Sequence, residues 1–321
     1  MSYEQRLEQK RLILEQEYNL LAERLRRLRC DCAIETDTAN LFKLETQIEQ
    51  TDTKLKNLDQ QLSQLEQAAS SEKIYHALLK LGYRQQTREF RKFIEAHSTA
   101  AFLISGSPEY GQRWLLNRLV VQYVPSILTG KIVRIDLSRI ARRSDINTLW
   151  RELGGRVGLS RQSTIPEIAE RVYQWWLTQN VLLIFNDIDC LSENFLDELI
   201  CDFWLPLANK AKEATPQSNQ FKLLMFLVDY AGCVADWNVH FAEGYNSWKL
   251  PEIVEFSDVE LANWLDYEAD QLPTKLTDQP NETIQIILEN SDNGIPEPAL
   301  GEICRLSDCD WYEQEEKWLK L

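Results

Sequence analysis

Ala101-Phe-Leu-Ile-Ser-Gly106-Ser-Pro-Glu-Tyr-Gly111-Gln-Arg-Trp114 is the stretch on which the fold turns. A short apolar run, a glycine-bounded turn and the start of a helical pattern follow one another, giving the order strand, loop, helix. A loop in that place gathers backbone N–H groups at a helix N-terminus, where a phosphate is favoured. The complete pattern is G-x-x-x-x-G-K-[ST], with lysine on the outer phosphates and the hydroxyl on magnesium. Gly106 and Gly111 keep the glycine spacing, and Ser107, Pro108, Glu109 and Tyr110 fill the turn between them. Gln112 stands at the lysine position and Arg113 at the hydroxyl position. Glu109 adds a negative charge inside the loop. A like charge about 5 Å from a phosphate costs on the order of 3 kcal/mol at an effective dielectric near 20, roughly a hundredfold in affinity. A tight turn with positive φ also demands glycine, so the spacing alone leaves ligand contact and plain turn geometry both open.

A second position tests the loop. Val181-Leu-Leu-Ile-Phe-Asn-Asp-Ile-Asp189 ends where a phosphate-loop enzyme places its metal-holding aspartate. Asn186 takes the first acidic place, followed by Asp187, and a neutral amide holds a hard divalent cation less well than a carboxylate. Asp187 and Asp189 then read as a solvated strand end or as partners for Arg113. At the end of the next apolar run, Leu227-Val-Asp229-Tyr230 offers no arginine or polar hydroxyl to meet a γ-phosphate. Arg113 is expected to face an anion at the helix start or an acid from the C-terminal helices. No catalytic residue and no metal site is expected.

Working outward, the apolar runs 101–105, 131–136, 181–185 and 221–228, with 248–255 as a weaker fifth, read as buried parallel strands. Helical patterns near 112–124, 145–157, 166–179 and 193–210 alternate with them. That alternation predicts a three-layer α/β sandwich on a mainly parallel five-stranded sheet over residues 99–255. Residues 256–321 show only helical patterns, including 258–270, 282–290 and 298–306, so a small helical domain follows. Tryptophans at helical spacings read as core, whereas Trp237 and Trp248, flanking His240, Gly244 and Asn246, read as a loop with exposed aromatics.

Before the sheet, residues 1–69 predict an antiparallel coiled-coil hairpin. Leu41, Leu44, Ile48, Thr51, Leu55, Leu58, Leu62 and Leu65 alternate by three and four, and Leu7, Leu14, Leu21 and Leu28 recur every seven residues. Asp37 or Thr38 between them can cap the second helix. Residues 70–98 read as a helical connector. Neither long helix can hide its apolar stripe unless something packs on it. The hairpin is therefore expected to dock a protein partner, although a plain bundle or a homo-oligomer seam fits the same heptads.

The net charge of −15 is unevenly placed. Residues 70–184 carry 17 Lys/Arg against 9 Asp/Glu, and residues 185–321 carry 8 against 28. The acidic excess speaks against nucleic acid as a partner, because phosphates would be repelled. No apolar run reaches the roughly 18 residues of a membrane helix, and the N-terminus lacks a signal-peptide pattern. The expected setting is cytoplasmic, without membrane contact.

Gly82-Tyr-Arg-Gln-Gln-Thr-Arg-Glu-Phe-Arg-Lys-Phe-Ile94, together with the loop and the Leu-Leu-Asn-Arg-Leu119 that follows it, resembles the inactive branch of the STAND signal-transduction NTPases. Gly294-Ile-Pro296-Glu-Pro-Ala-Leu300 is similar to the glycine-x-proline motif that opens the lid of STAND and related AAA+ proteins. The resemblance covers about residues 75–310, and its most specific part is Gly111-Gln-Arg-Trp114. It implies a P-loop NTPase-like core with a helical lid that has lost hydrolysis. Such a module serves signalling or scaffolding, often in bacterial conflict systems, and commonly carries an N-terminal adaptor or coiled coil. It also implies that Gly106 to Arg113, Asn186, Asp187 and Pro296 mark a degenerate, vestigial nucleotide site. No cofactor is expected; the alternative is a sensor that binds ADP or ATP without hydrolysis.

Overall fold

No glycine or proline interrupts residues 1–81, and two long helices form there, α1 (Tyr3–Ile34) and α2 (Thr38–Leu78). The computed structural model describes residues 3–141, 146–213, 221–234, 237 and 247–317. They form two compact units, Met1–Ala77 with Gln271–Pro273, and Leu78–Asp270 with Thr274–Leu321.

In the first unit α1 and α2 make a helical hairpin. Leu14, Leu25 and Leu28 on α1 and Thr51, Leu55 and Leu58 on α2 are buried. Leu7, Leu21, Leu41, Leu44, Ile48, Leu62 and Leu65 are half-buried. Thr51, the polar member of the seam, returns its hydroxyl to the carbonyl of Gln47 at 2.7 Å, so it brings no unsatisfied group inside. Asp37 is the cap: its Oδ1 accepts from the N–H groups of Ala39 and Asn40 at 2.7 and 3.3 Å.

The second unit begins where helix α2 ends. Within the stretch read as a helical connector, Gly82 and Tyr83 both take left-handed backbone, φ 69° and 52°, and α3 (Arg84–Ala96) starts afresh. Five parallel strands follow, β1 (Thr99–Ser105), β2 (Lys131–Asp136), β3 (Val181–Asn186), β4 (Leu223–Asp229) and β5 (Ser247–Lys249), in the order β2-β3-β4-β1-β5. β5 is shorter than the 248–255 run because Pro251 has no N–H to extend the ladder.

Between strands lie α4 (Gln112–Tyr123), α5 (Ser138–Ala141), α6 (Ile146–Arg156), α7 (Ile165–Trp176), α8 (Glu193–Glu198) and α9 (Leu205–Glu213). α8 and α9 are joined by a π-helical turn, Leu199–Trp204, where a single helix was expected. Side chains alternate across the pleat. Ala101, Leu103, Val133, Leu183 and Leu227 pack on one face with Leu153, Ile168, Trp176 and Phe203. Phe102 and Phe226 point to the other, with the Phe90 ring of α3 at 4.7 and 5.8 Å. Helices thus cover both faces, making a three-layer α/β sandwich on a parallel five-stranded sheet.

The chain closes with α10 (Asp258–Tyr267), α11 (Thr274–Thr277), α12 (Pro280–Asn290), α13 (Pro296–Leu306) and α14 (Trp311–Glu316). Side chains cap two of these helices: Ser257 Oγ accepts from Glu260 N and Asp310 Oδ1 from Glu313 N, at 3.2 and 3.1 Å. Trp150, Trp176, Trp204 and Trp264 are buried, and Trp237 packs against the sheet core. Trp248 is half-buried with its ring 5.3 Å from Phe93. His240, Gly244 and Asn246 lie outside the described residues. Among the described residues no helix is long and apolar enough to cross a membrane.

Candidate functional site

The sheet register brings three strand ends together. Ser105 pairs with Asp229 and Asn186 pairs with Asp136 and Val228, so the loop after β1 faces the ends of β3 and β4. In open α/β sheets this edge is where ligands bind.

Gln112 fills the loop from within. It is 1% exposed, and its Nε2 donates to the carbonyls of Gly106 and Ser107 at 2.7 and 2.8 Å. Gly111 takes the left-handed conformation, φ 70°. Gly106 does not, so its positive-φ explanation fails; a Cβ there would instead approach Gln112 Nε2 at 3.3 Å and Ile253 at 3.4 Å. Glu109, which has a side chain, takes φ 69° and is exposed with Ser107 and Pro108 at the loop apex.

Tyr83 closes the other side. Its hydroxyl donates to the carbonyls of Tyr110 and Gly111 at 3.2 and 3.5 Å. Its ring meets Phe256 edge-on at 5.5 Å, and a Cβ on Gly111 would overlap its hydroxyl. Burial pushes the Tyr83 phenol far above its ordinary range, so it remains a donor.

Asn186 is 2% exposed, and both ends of its amide are hydrogen-bonded. Its Nδ2 donates to Asp136 at 3.0 Å and its Oδ1 accepts from Tyr230 Oη at 3.3 Å. Tyr230 thus supplies a hydroxyl that the sequence argument discounted, directed at Asn186. Asp187 accepts from Ser138 Oγ at 2.7 Å and Asp189 from the Tyr230 N–H at 3.3 Å. Neither is the ion-pair partner of Arg113. Asp229, fully buried, accepts from Ser105 Oγ and from the N–H groups of Ala231, Gly232 and Val234 at 2.8–3.1 Å. That turn packs so close that a Cβ on Gly232 would lie 2.9 Å from the carbonyl oxygen of Gly106.

The C-terminal helices complete the enclosure. The N–H of Glu297 donates to the Glu109 carbonyl at 2.9 Å, and Pro296 is buried with its Cβ 3.7 Å from a Cβ on Gly111. The Trp311 ring lies 5.1 Å from that of Trp114. Arg113 Nη1 donates to Glu315, an acid of the C-terminal helices, at 3.4 Å, and its guanidinium lies 5.8 Å from the Tyr230 ring centre. Burial alone would lower the Arg113 pKa; Tyr230 and Glu315 outweigh it and hold the group charged. Burial raises the Glu315 carboxyl, and Arg113 offsets part of that. Glu297 is raised by burial first and by Glu315 second. A lid carboxylate thus stands before the helix start, where an outside anion would otherwise sit.

These residues do not fit a magnesium nucleotide. The amide of Gln112 occupies the interior, the amide of Asn186 is committed to two side chains, and Glu315 holds Arg113. Among the described residues no group of three or more His, Cys, Asp or Glu could hold a metal. The residues that sequence reasoning missed are Tyr83, Asp229, Tyr230 and Glu315. Gly82 before Tyr83 and Gly232 after Asp229 were the available signals, since each marks a turn.

Residues 78–228 match the family model described as inactive STAND. No curated protein matches the chain. Among solved structures, the Aeropyrum pernix ORC1 protein in complex with DNA is similar at 14% identity and a TM-score of 0.40, covering 77% of this chain and 68% of that one. The Aeropyrum pernix ORC2 protein, in ADPNP-ADP complexes, is similar at 11% identity and a TM-score of 0.36, covering 68% of this chain and 65% of that one. The chain thus spans about two thirds of the length of each.

Proposed function

We propose that this chain, which matches the inactive STAND family over residues 78–228, is a non-catalytic signalling or scaffold module that recruits protein partners through its N-terminal hairpin. The observation that carries the non-catalytic part is Gln112, whose amide occupies the loop interior within 2.8 Å of two loop carbonyls. A phosphate entering there would have to expel a buried, hydrogen-bonded side chain and meet carbonyl oxygens, which repel it. The loop, Asn186, Asp187 and Pro296 are then a vestigial nucleotide site without cofactor. The same proposal divides the chain into a docking hairpin (1–69), a connector (70–98), a degenerate α/β core (99–255) and a lid (256–321). It sets the protein in the cytoplasm, in a bacterial conflict or regulatory system.

The alternative, an ADP or ATP sensor, would need Arg113 as its cation, and Glu315 and Tyr230 already engage it. Calorimetry with ADP and ATP, each with magnesium at millimolar concentration, should give no binding heat, and a phosphate-release assay no turnover. Magnesium-dependent release abolished by Gly111→Asp would overturn the non-catalytic reading. For the docking part, the full chain is expected to capture a partner that a chain lacking residues 1–69 does not; equal capture by both would remove the role of the hairpin.

A further inference from the structure

α14 is six residues long, Trp311–Glu316, too short to keep helical order without a surface to lie on. Two of its side chains reach the first turn of α4, beside the loop. The Trp311 ring lies 5.1 Å from the Trp114 ring, and Glu315 accepts from Arg113 Nη1 at 3.4 Å. This contact is poorly satisfied. Trp311 Nε1 and Arg113 Nε are buried without a hydrogen-bond partner among the described residues, and water would serve each of them if the helix left. Glu315 is 5% exposed, yet its ion pair is longer than the about 2.7–2.9 Å of a strong charge-assisted bond. Glu297 of α13 feels Glu315, Arg113 and Glu109 together, so three carboxylates gather about one guanidinium. Arg134, the other cation that Glu315 feels, pairs with Asp136 at 3.6 Å.

The preceding helix is better anchored. Pro296 is buried, and the Glu297 N–H donates to the Glu109 carbonyl at 2.9 Å. Between the two helices the chain turns at Asp308, φ 56°, whose carboxylate is paired with Lys275 of α11. We infer that α14 is a strap that detaches as a unit about the 307–310 joint, leaving Trp114 and Arg113 while α13 stays on the loop. Detachment hydrates two stranded donors and separates like charges, which keeps the docked and free states close in free energy. It gives the chain a conformational step that uses no nucleotide, and it does not depend on the docking role of the hairpin.

The step responds to pH. Burial raises the Glu315 and Glu297 carboxyls while the strap is docked. Among the groups around them Arg113 and Arg134 attract, and Glu109 and Glu316 repel. Tyr83 and Tyr230, both raised by burial, stay neutral. On release Glu315 returns to water and Glu297 loses its repulsion, so both carboxyls fall. The docked state therefore holds more protons, and raising the pH above the ordinary carboxylate range favours release.

Fluorine NMR of the full chain carrying fluorotryptophan, together with amide hydrogen exchange, tests the strap. Raising the pH from about 5 to about 8 should move the Trp114 resonance toward its position in a Trp311→Ala reference. Over the same range, exchange of the 313–316 amides, corrected for the intrinsic rate, should speed up at least about threefold. Arg113→Gln, which strands Glu315, should speed them about tenfold at the upper pH. Glu297→Gln should slow them about threefold and flatten the pH dependence, and it decides the matter with the pH series if Arg113→Gln does not fold. Amides of β1, β4 and residues 299–303 should not change. Exchange in α14 that ignores pH and Glu297→Gln, or a Trp114 resonance that stays fixed while α14 exchanges, would overturn the strap and leave a fraying helix. Residues 299–303 exchanging in step with α14 would overturn it too, since the C-terminal helices would then move whole.

Discussion

Gln112 ties the loop to itself. Replacing it with alanine leaves the carbonyls of Gly106 and Ser107 without their donor, so Gln112→Ala should lower stability by about 2 kcal/mol, read as a fall in the urea midpoint. Gly111→Ala combines backbone strain at φ 70° with overlap on the Tyr83 hydroxyl. Its loss should shrink in a Tyr83→Phe background while the strain remains, and a double-mutant cycle measures the shared part. Glu297 tests the acid cluster: its folded pKa is raised, so its ionisation costs stability increasingly as pH rises above the ordinary carboxylate range. Glu297→Gln should raise the melting temperature by about 1–2 °C at neutral pH. The gain should vanish as pH falls below the ordinary carboxylate range, where the native acid is protonated in both states. At this scale the sequence displayed what Gln112, Arg113 and Asn186 are not. What they do instead depends on Tyr83, Tyr230 and Glu315, which lie far away in sequence and carry no spacing signal.

Elements were more legible than contacts. β1, β3 and β4 announced themselves as apolar runs because they are buried on both faces; β2 spans the expected 131–136 but, at the sheet edge, buries only Val133 and Ile135. The helices after them followed from apolar periodicity; the structure adds a capping box at the start of α7, where Glu167 accepts from the Thr164 N–H at 2.7 Å. What the pattern missed were interruptions: the left-handed pair Gly82–Tyr83, which reads locally as helix, and the π-helical turn Leu199–Trp204, which keeps helical periodicity while shifting register. The cap at Asp37 allows a test at this scale. Asp37→Ala should destabilise the start of α2 by about 1 kcal/mol, seen as faster amide exchange at Ala39 and Asn40 with the α/β unit unaffected.

For the whole molecule, alternation of strands and helices was enough to expect a covered parallel sheet, since few other arrangements bury strands on both sides. The strand order was not legible, because it depends on which edges meet rather than on any local pattern. Charge bears on the molecule as a whole: residues 185–321 carry 28 acids against 8 basic residues, so repulsion works against the compact state. Raising sodium chloride from about 0.02 to about 0.2 M, which shortens the screening length to below 10 Å, should raise the thermal midpoint. A fall with salt would mean that ion pairs, such as Lys80 with Glu268 at 2.7 Å, outweigh the repulsion.

Arg118, buried in α4, donates to the carbonyls of Leu81 and Gly82 at 2.6 Å each. The turn that carries Tyr83 is therefore moored to the helix that carries Gln112. Displacing Tyr83 from the loop carbonyls thus also disturbs the Arg118 mooring. A ligand's apparent dissociation constant is its intrinsic value divided by the fraction of molecules already open. If that fraction is about one in a hundred, a compound of micromolar intrinsic affinity would register only near 0.1 mM. Loosening Arg118 should therefore raise that fraction and tighten, in proportion, any ligand that enters where Tyr83 now closes the loop.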